Sequence, residues 1–278
     1  MMSARFRRPV FVVTGDFMRI DLLLSLTATL VLLAGSFTGF RQPFSRDIRF
    51  GSLIGAGLVG SGAAAGASLN AFGFGLAAAL WLTVASVVAV FAVLVWFRPI
   101  STRLGTLLFP YLSVLGLLAL AAMSSPGETA ETSIWGLAHA VIALIANALV
   151  TVAAVAALAV VIQERALKAH RRSALAGMLP GAAESEGVQG VLLGIAAAAL
   201  ALGIATGTAV QIEENGRAVI LNHKTVLTVL ALLLIAALSI LDFRRGLGGR
   251  RLARGILVSW LVLTLGFLGV IFVKHVIL

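Results

Sequence analysis

The chain has 278 residues, of which 60% are hydrophobic and only 12% charged, with a mean hydropathy of +1.07. Soluble domains carry about 25% charged residues, so this composition excludes a soluble protein and predicts an integral membrane protein. The absence of cysteine excludes disulfides and thiolate metal sites, and the net charge of +10, clustered in short loops, indicates membrane orientation and not nucleic-acid binding.

The first 18 residues are predicted to be a tail outside the membrane domain. Arginines, Pro9 and Asp16 interrupt any span there, and no small-residue cleavage site follows an apolar core, so a signal peptide is not expected. Met18 directly precedes the first apolar run and is an alternative chain start. Residues 19–278 are predicted to form a single transmembrane domain.

Eight apolar segments follow, each near the ~20 residues that cross a bilayer as a helix. They predict an all-α polytopic bundle, with spans at 20–40, 51–70, 76–97, 104–123, 134–163, 188–210, 224–242 and 253–274.

The loops between these spans alternate in charge. The first, third, fifth and seventh loops are basic, whereas the fourth and sixth carry the acids Glu128, Glu131, Glu213 and Glu214. Because basic loops face the cytoplasm, the odd loops are predicted to lie inside and both termini outside.

Two further local features are informative. The second span is rich in Gly, Ala and Ser, with glycines at 51, 55, 62 and 66. This predicts close packing of helices within the chain, with a dimer face or a ligand-lining wall as the alternative.

In the sixth loop, Asn215–Gly216 predicts the tight turn of a small hairpin.

The fifth span and its flanks, residues 134–172, contain the first candidate functional residues. His139 opens this span, His223 opens the seventh and His275 ends the eighth, so all three are predicted at the outer boundary. Two imidazoles can hold a haem, and three with a nearby glutamate would suit zinc; histidines at a polar interface also need no ligand at all. Trp135 lies one helical turn before His139, as a surface for a flat macrocycle or an interfacial anchor.

No catalytic motif appears along the chain. It has no HExxH, phosphate loop or GxGxxG before a helix. The acids fall outside the spans or at their ends, which argues against an ion-coupled transporter, because such proteins keep ionisable groups inside the membrane.

Several motifs, each loose by itself, follow one another between residues 76 and 278. They are Leu107-Leu108-Phe109-Pro110-Tyr111, the stretch from His139 to Lys168, Leu179-Pro180 followed by acids, Ala205-Thr206-Gly207, Lys224, and the basic hairpin from Gly246 to Arg251. In this order and spacing the chain resembles the cytochrome c assembly membrane proteins, in the eight-span YpjD/HemX-like branch related to CcsA.

The resemblance implies a site and a location. In haem-handling members, two external histidines are axial haem ligands, at positions that match His139 and His275. His223 is not a family ligand, and Asn147 stands where the family has a tyrosine. Arg217, Lys224 and Lys274 are the outer cations available to haem propionates. The family's bacterial inner (plasma) membrane location is implied as well.

Two functions follow as expectations. The first is a membrane protein of cytochrome c biogenesis that binds haem at the outer face. The tryptophan-rich segment of true synthetases, ending WDxxE, is absent, which favours haem binding or an accessory role over enzymatic ligation of haem. The alternative is a cofactor-free scaffold or regulatory subunit that acts on haem synthesis or on a neighbouring membrane protein.

Overall fold

The computed structural model describes residues 15–123, 133–170, 173–216, 223–246 and 248–266. These residues form nine α-helices and one short 3-10 helix, Pro99–Leu104, which leads into α4. The helices are α1 (Gly15–Arg41), α2 (Ile48–Phe72), α3 (Leu76–Phe97), α4 (Gly105–Ala121), α5 (Ile134–Lys168), α6 (Ala174–Met178), α7 (Ala182–Asn215), α8 (His223–Arg245) and α9 (Gly249–Thr264).

The predicted all-α membrane bundle is confirmed. Seven helices in the described part of the chain are long and apolar enough to cross a membrane, and they match the first seven predicted spans. The eighth predicted span, 253–274, begins in α9 and runs past residue 266, where the description ends. The chain is therefore a multi-pass membrane protein whose surroundings are the lipid bilayer.

Helix α5 is the central element of the bundle. In its most apolar window 83% of the residues are buried, against 11% for α8, which lies at the periphery. The buried stretch from Ala146 to Val161 consists mainly of Ala and Val. These small side chains let α7, α9 and α3 approach α5 closely, which is how helices associate in lipid. Helices α1 to α4 pack on one another as a second group.

The described residues of the odd-numbered connections lie together at one end of the bundle, which we call the basic end (residues 41–47, 98–104, 169–170, 173–181, 246 and 248). The hydroxyl of Thr102 donates to the carbonyl oxygen of Phe44 over 3.1 Å and joins the first connection to the third. The Arg46 guanidinium lies 5.3 Å from the centroid of the exposed Trp96 ring, a pairing typical of an interface. The predicted clustering of basic loops is therefore present, and their cytoplasmic orientation stays a prediction.

The prediction for the glycines of α2 is wrong. A methyl group placed on Gly51, Gly55, Gly62 or Gly66 would meet nothing within 4 Å, so these residues face away from the described bundle. The inward side of α2 carries Ala64, Ala65, Ser61 and Ser68 instead, and Gly60 approaches the backbone of α1. Four-residue spacing identifies a helix face, but spacing alone does not say whether the face points inward.

The predicted hairpin in the sixth loop is also wrong in its first half, up to Gly216, which the structure describes. Helix α7 continues through Asn215, and Gly216 ends it with a left-handed φ of 65°. The Gly216 amide donates to the carbonyl oxygen of Ile212 over 2.9 Å. An Asn-Gly pair whose glycine is left-handed suits a helix C-terminus as well as a tight turn, and here it ends a helix. Residues 217–222 lie outside the described residues.

Candidate functional site

The first turns of α5 place the candidate histidine. Ser133 caps the helix, and its hydroxyl accepts from the Gly136 amide over 3.1 Å. This cap fixes the start of α5, so Trp135 and His139 follow on one face, one turn apart. Trp135 is half exposed and His139 is partly buried, at the end of the bundle opposite the basic end.

The His139 ring binds the backbone of α7. Its Nδ1 lies 2.9 Å from the carbonyl oxygen of Gly203 and 3.3 Å from Oγ1 of Thr206. A carbonyl oxygen can only accept, so Nδ1 carries the proton in this arrangement and the lone pair of the neutral ring lies on Nε2. The Thr206 hydroxyl donates to the carbonyl oxygens of Leu202 and Gly203, which fixes its position beside the ring.

Glycine on α7 makes room for this contact. A methyl group on Gly207 would lie 3.0 Å from Cε1 and 3.2 Å from Nδ1 of His139. The ring therefore packs against α7 at a distance that only a glycine there permits. The structure thus brings together His139 and the Thr206-Gly207 pair, which are 67 and 68 positions apart in the sequence.

The other candidate residues are placed only in part. His223 and Lys224 begin α8, and their side chains are not described. His275, Lys274 and Arg217 lie outside the described residues, as do Glu128 and Glu131 of the zinc alternative. Among the residues whose placement is given, no three His, Asp or Glu side chains come close enough to hold a metal ion. His139 and Trp135 are therefore the part of the predicted site that can be built from contacts.

A polar cluster that the sequence analysis missed lies between α4, α5 and α9. The indole nitrogen of Trp260 donates to Oγ1 of Thr151 over 3.3 Å, and the Trp260 ring meets Tyr111 edge-on at 5.8 Å. One turn before Thr151, the amide oxygen of the buried Asn147 has no hydrogen-bond partner. The only tyrosine of the chain and a tryptophan within the last predicted span were the available signals.

A second missed feature is a buried acid near the start of α1. Asp21 lies at the end of the first predicted span, as expected, but its side chain is fully buried in the bundle. Ser25, Thr29 and Ser36 follow it on the same buried face of α1. The sequence signal for this buried polar face was the spacing of four and seven residues between polar residues in an otherwise apolar helix.

Charge at the basic end is concentrated where α5, α7 and α9 meet. A methyl group on Gly248 would lie 3.1 Å from a Glu186 carboxylate oxygen, and one on Gly249 would lie 3.0 Å from Glu164. Gly249 also has a left-handed φ of 70°. The two glycines therefore let the start of α9 fit closely against both carboxylates, which holds α9 against α5 and α7.

Comparison with known proteins gives one informative relative. No protein-family model matches the chain, and no solved structure matches it. It is 38% identical over 267 residues to a protein of Azospirillum brasilense described as an uncharacterized 28.8 kDa protein in the nifR3-like 5′ region, with 93% of this chain and 98% of the relative covered. The match runs almost end to end, and the chain belongs to the same family as this Azospirillum brasilense protein.

Proposed function

We propose that the protein is a haem-handling membrane protein of cytochrome c biogenesis in the bacterial inner membrane, and that His139 and His275 are its axial haem ligands. The family resemblance of residues 76–278 motivates the function. The observation that carries the site is the hydrogen bond from His139 Nδ1 to the Gly203 carbonyl.

This bond has the form that a ligating histidine needs. Histidines that bind metals almost always donate their other ring N–H to a carbonyl or a carboxylate, which fixes the ring and raises the basicity of the ligating nitrogen. The Nδ1–H of His139 is used in this way, and Gly207 lets the ring lie against a rigid helix. The residues present therefore fit an axial ligand.

The helix packing also supports His275 as the second ligand. Helices α5 and α9 run in opposite directions and meet where Trp260 contacts Thr151. From that contact, His139 is 12 residues away along α5 and His275 is 15 residues away along the predicted last span, both toward the same end. A last span that is helical to its predicted end, at about 1.5 Å per residue, would bring the two histidines to heights within about 4.5 Å of each other.

The surroundings suit a flat, amphipathic ligand. Trp135 presents a half-exposed aromatic surface one turn from His139. Arg217, Lys224 and Lys274 are the cations that would meet propionates, because each is predicted at the same membrane boundary. Bound haem would supply redox-active iron at this surface. The chain's own contribution is to orient His139 and to keep the proton on Nδ1.

A visible spectrum of the purified protein tests the proposal. The full chain is expressed in haem-replete cells and purified in detergent, with His139→Ala, His275→Ala and the double variant alongside. We expect a Soret band in the wild type, a weaker or shifted band in each single variant and none in the double variant. His170→Asn is the matched control, because His170 is exposed at the basic end and asparagine tolerates its φ of 48°.

Two results would contradict the proposal. One is a wild-type protein without a Soret band from cells in which a known haem protein is loaded. The other is a band that the double variant leaves unchanged, which would assign any bound haem to other residues.

One observation favours the second candidate function, a cofactor-free scaffold or regulatory subunit. The outward glycines of α2 form a smooth strip on which a partner helix would pack closely. Affinity purification separates the two functions. A stoichiometric membrane partner without a chromophore, lost in Gly55→Leu/Gly62→Leu and retained in the lipid-facing control Leu233→Ala, would support the scaffold function.

A further inference from the structure

Asp21 is a carboxylic acid enclosed within the membrane domain. It is the third residue of the apolar span Arg19–Arg41, at the end of α1 opposite the basic end. Its side chain has 0% exposure, and its Oδ1 accepts from the Ser68 hydroxyl of α2 over 2.9 Å. The acid therefore lies in the α1–α2 contact and not on the lipid-facing surface.

Two buried oxygens beside this contact lack hydrogen bonds. Oδ2 of Asp21 has no partner, and neither has Oγ of Ser25, one turn along α1. The two side chains are neighbours, because residues four apart lie on the same face of a helix and both are fully buried. An unpaired buried polar atom costs about 1–3 kcal/mol. Two such atoms side by side therefore indicate that a hydrogen bond forms between them.

No cation in the described part of the chain balances the acid. Its hydrogen-bond donor is Ser68, and its polar neighbour on α1 is the buried Ser25. The one charged residue of α2, Arg49, lies at the basic end, far from Asp21. Helix α4 has no charged residue, and the one titratable group of α4, Tyr111, packs on Trp260. On α1 itself, Arg19 is exposed and Arg41 lies at the basic end.

An uncompensated carboxylate in such surroundings takes up a proton, because burial penalises only its charged form. We propose that Asp21 is a proton-binding site, with Oδ2 as the protonated atom and Ser25 and Ser68 as its hydrogen-bonding partners. One proton on Oδ2 turns this atom into a donor and gives the Ser25 hydroxyl an incoming bond. The two unpaired oxygens are then satisfied together.

The site links α1–α2 packing to proton binding. With the proton bound, the neutral acid is compatible with the apolar contact between the helices. Release of the proton leaves a buried negative charge, which favours separation of α1 from α2 or entry of water. A metal cation fits less well, because the described site offers oxygens from only three side chains, whereas hard cations take about six or more.

Carbodiimide labelling tests this site independently of haem. Dicyclohexylcarbodiimide reacts with protonated carboxyl groups in apolar surroundings, and the detergent-purified full chain is labelled at pH 7 and analysed by peptide mass spectrometry. Asp47 is the internal control, because its hydrogen bond from the Phe50 amide holds the pKa of that carboxyl below its usual value. Since an ordinary carboxyl is about 0.1% protonated at pH 7, we expect at least about 100-fold more label on Asp21.

A second measurement tests the protonation of Asp21 without a reagent, in case the carbodiimide does not reach the buried side chain. Infrared spectra at pH 7 of wild type and Asp21→Asn should differ by one C=O band of a protonated carboxyl group, and Ser25→Ala should shift that band. Asparagine keeps the shape of the neutral acid, so this variant should fold. Absence of the band difference would overturn the proposal. Protection of Asp21 from label by Na⁺ or K⁺ at constant pH would also overturn it, in favour of a metal cation.

Discussion

Gly207→Ala and Gly203→Ala form a matched pair that measures the His139 contact. Both substitutions add one methyl group to the same helix, and in a helix interior each gains about 1 kcal/mol of helix propensity. The new methyl at position 203 would meet only Ile142, at an ordinary 3.7 Å. The new methyl at position 207 would lie 3.0 Å from the His139 ring.

The magnitudes separate the two variants. To reach a normal contact of about 3.5–4.0 Å, the ring must move by roughly 0.5–1 Å. Such a shift stretches the 2.9 Å bond from Nδ1 to the Gly203 carbonyl beyond a useful length. Loss of that bond costs about 1 kcal/mol, and overpacking costs about 1–3 kcal/mol. We therefore expect Gly203→Ala to stabilise the protein and Gly207→Ala to destabilise it by about 1–3 kcal/mol.

Thermal unfolding in detergent, followed by the fraction that stays monodisperse, is the assay. In a His139→Ala background the methyl at position 207 has room, so Gly207→Ala should become neutral or stabilising there. If haem is bound, Gly207→Ala should also lower the affinity for haem about 10–100-fold, as loss of a hydrogen-bond partner behind a ligand does. Equal melting temperatures for the two glycine variants would refute the described contact.

Three further variants test other contacts. Gly35→Ala places a methyl 2.6 Å from the buried Phe109 ring and should lower the melting temperature by the equivalent of about 1–3 kcal/mol. Trp260→Phe removes the hydrogen bond to Thr151 and should cost about 1 kcal/mol in the same assay. Asp47→Ala should lower stability at pH 7 and converge with wild type in acid. The pKa of Asp47 lies below its ordinary 3.8, so its contribution is present above that pH and fades as the pH falls through the lowered value.

The glycine variant and the tryptophan variant each have a control of the same type. Gly62→Ala adds a methyl where nothing lies within 4 Å, so it should not lower the melting temperature. Trp96→Phe changes an indole that is 70% exposed and should have little effect. A uniform loss across test and control variants would mean that the predicted contacts are not what sets stability.

Hydropathy predicted the helices well because lipid requires long uncharged runs. Helix α3 was predicted at 76–97 and has those bounds, since glycines precede it and Arg98-Pro99 follows. Helix α7 was predicted at 188–210 but spans Ala182–Asn215. Its extra turns are polar, and Glu184 caps the first of them by accepting from the Gly181 amide over 2.9 Å. Hydropathy measures the membrane-spanning stretch, not the helix.

The site was less predictable for a different reason. The position of His139 at the start of a span could be seen from the sequence, but its partners Gly203 and Thr206 depend on how α5 and α7 are rotated. Rotation is decided by side-chain packing and not by apolar length. The same limit applies to Asp21: its place at the end of α1 was evident, but its burial depends on which face of α1 meets α2.

The composition of α5 explains why its polar chemistry is placed at its ends. From Ala146 to Ala157 the helix is buried among close neighbours, and Leu149, Asn147 and Thr151 are its largest or most polar members there. A macrocycle would not fit into that section without separating the helices. At the basic end, Gln163 ties α5 to the next connection by donating to the carbonyl oxygens of Ala176 and Pro180. The packing is more open at the opposite end, where His139 and Trp135 lie and where the proposed haem site is located.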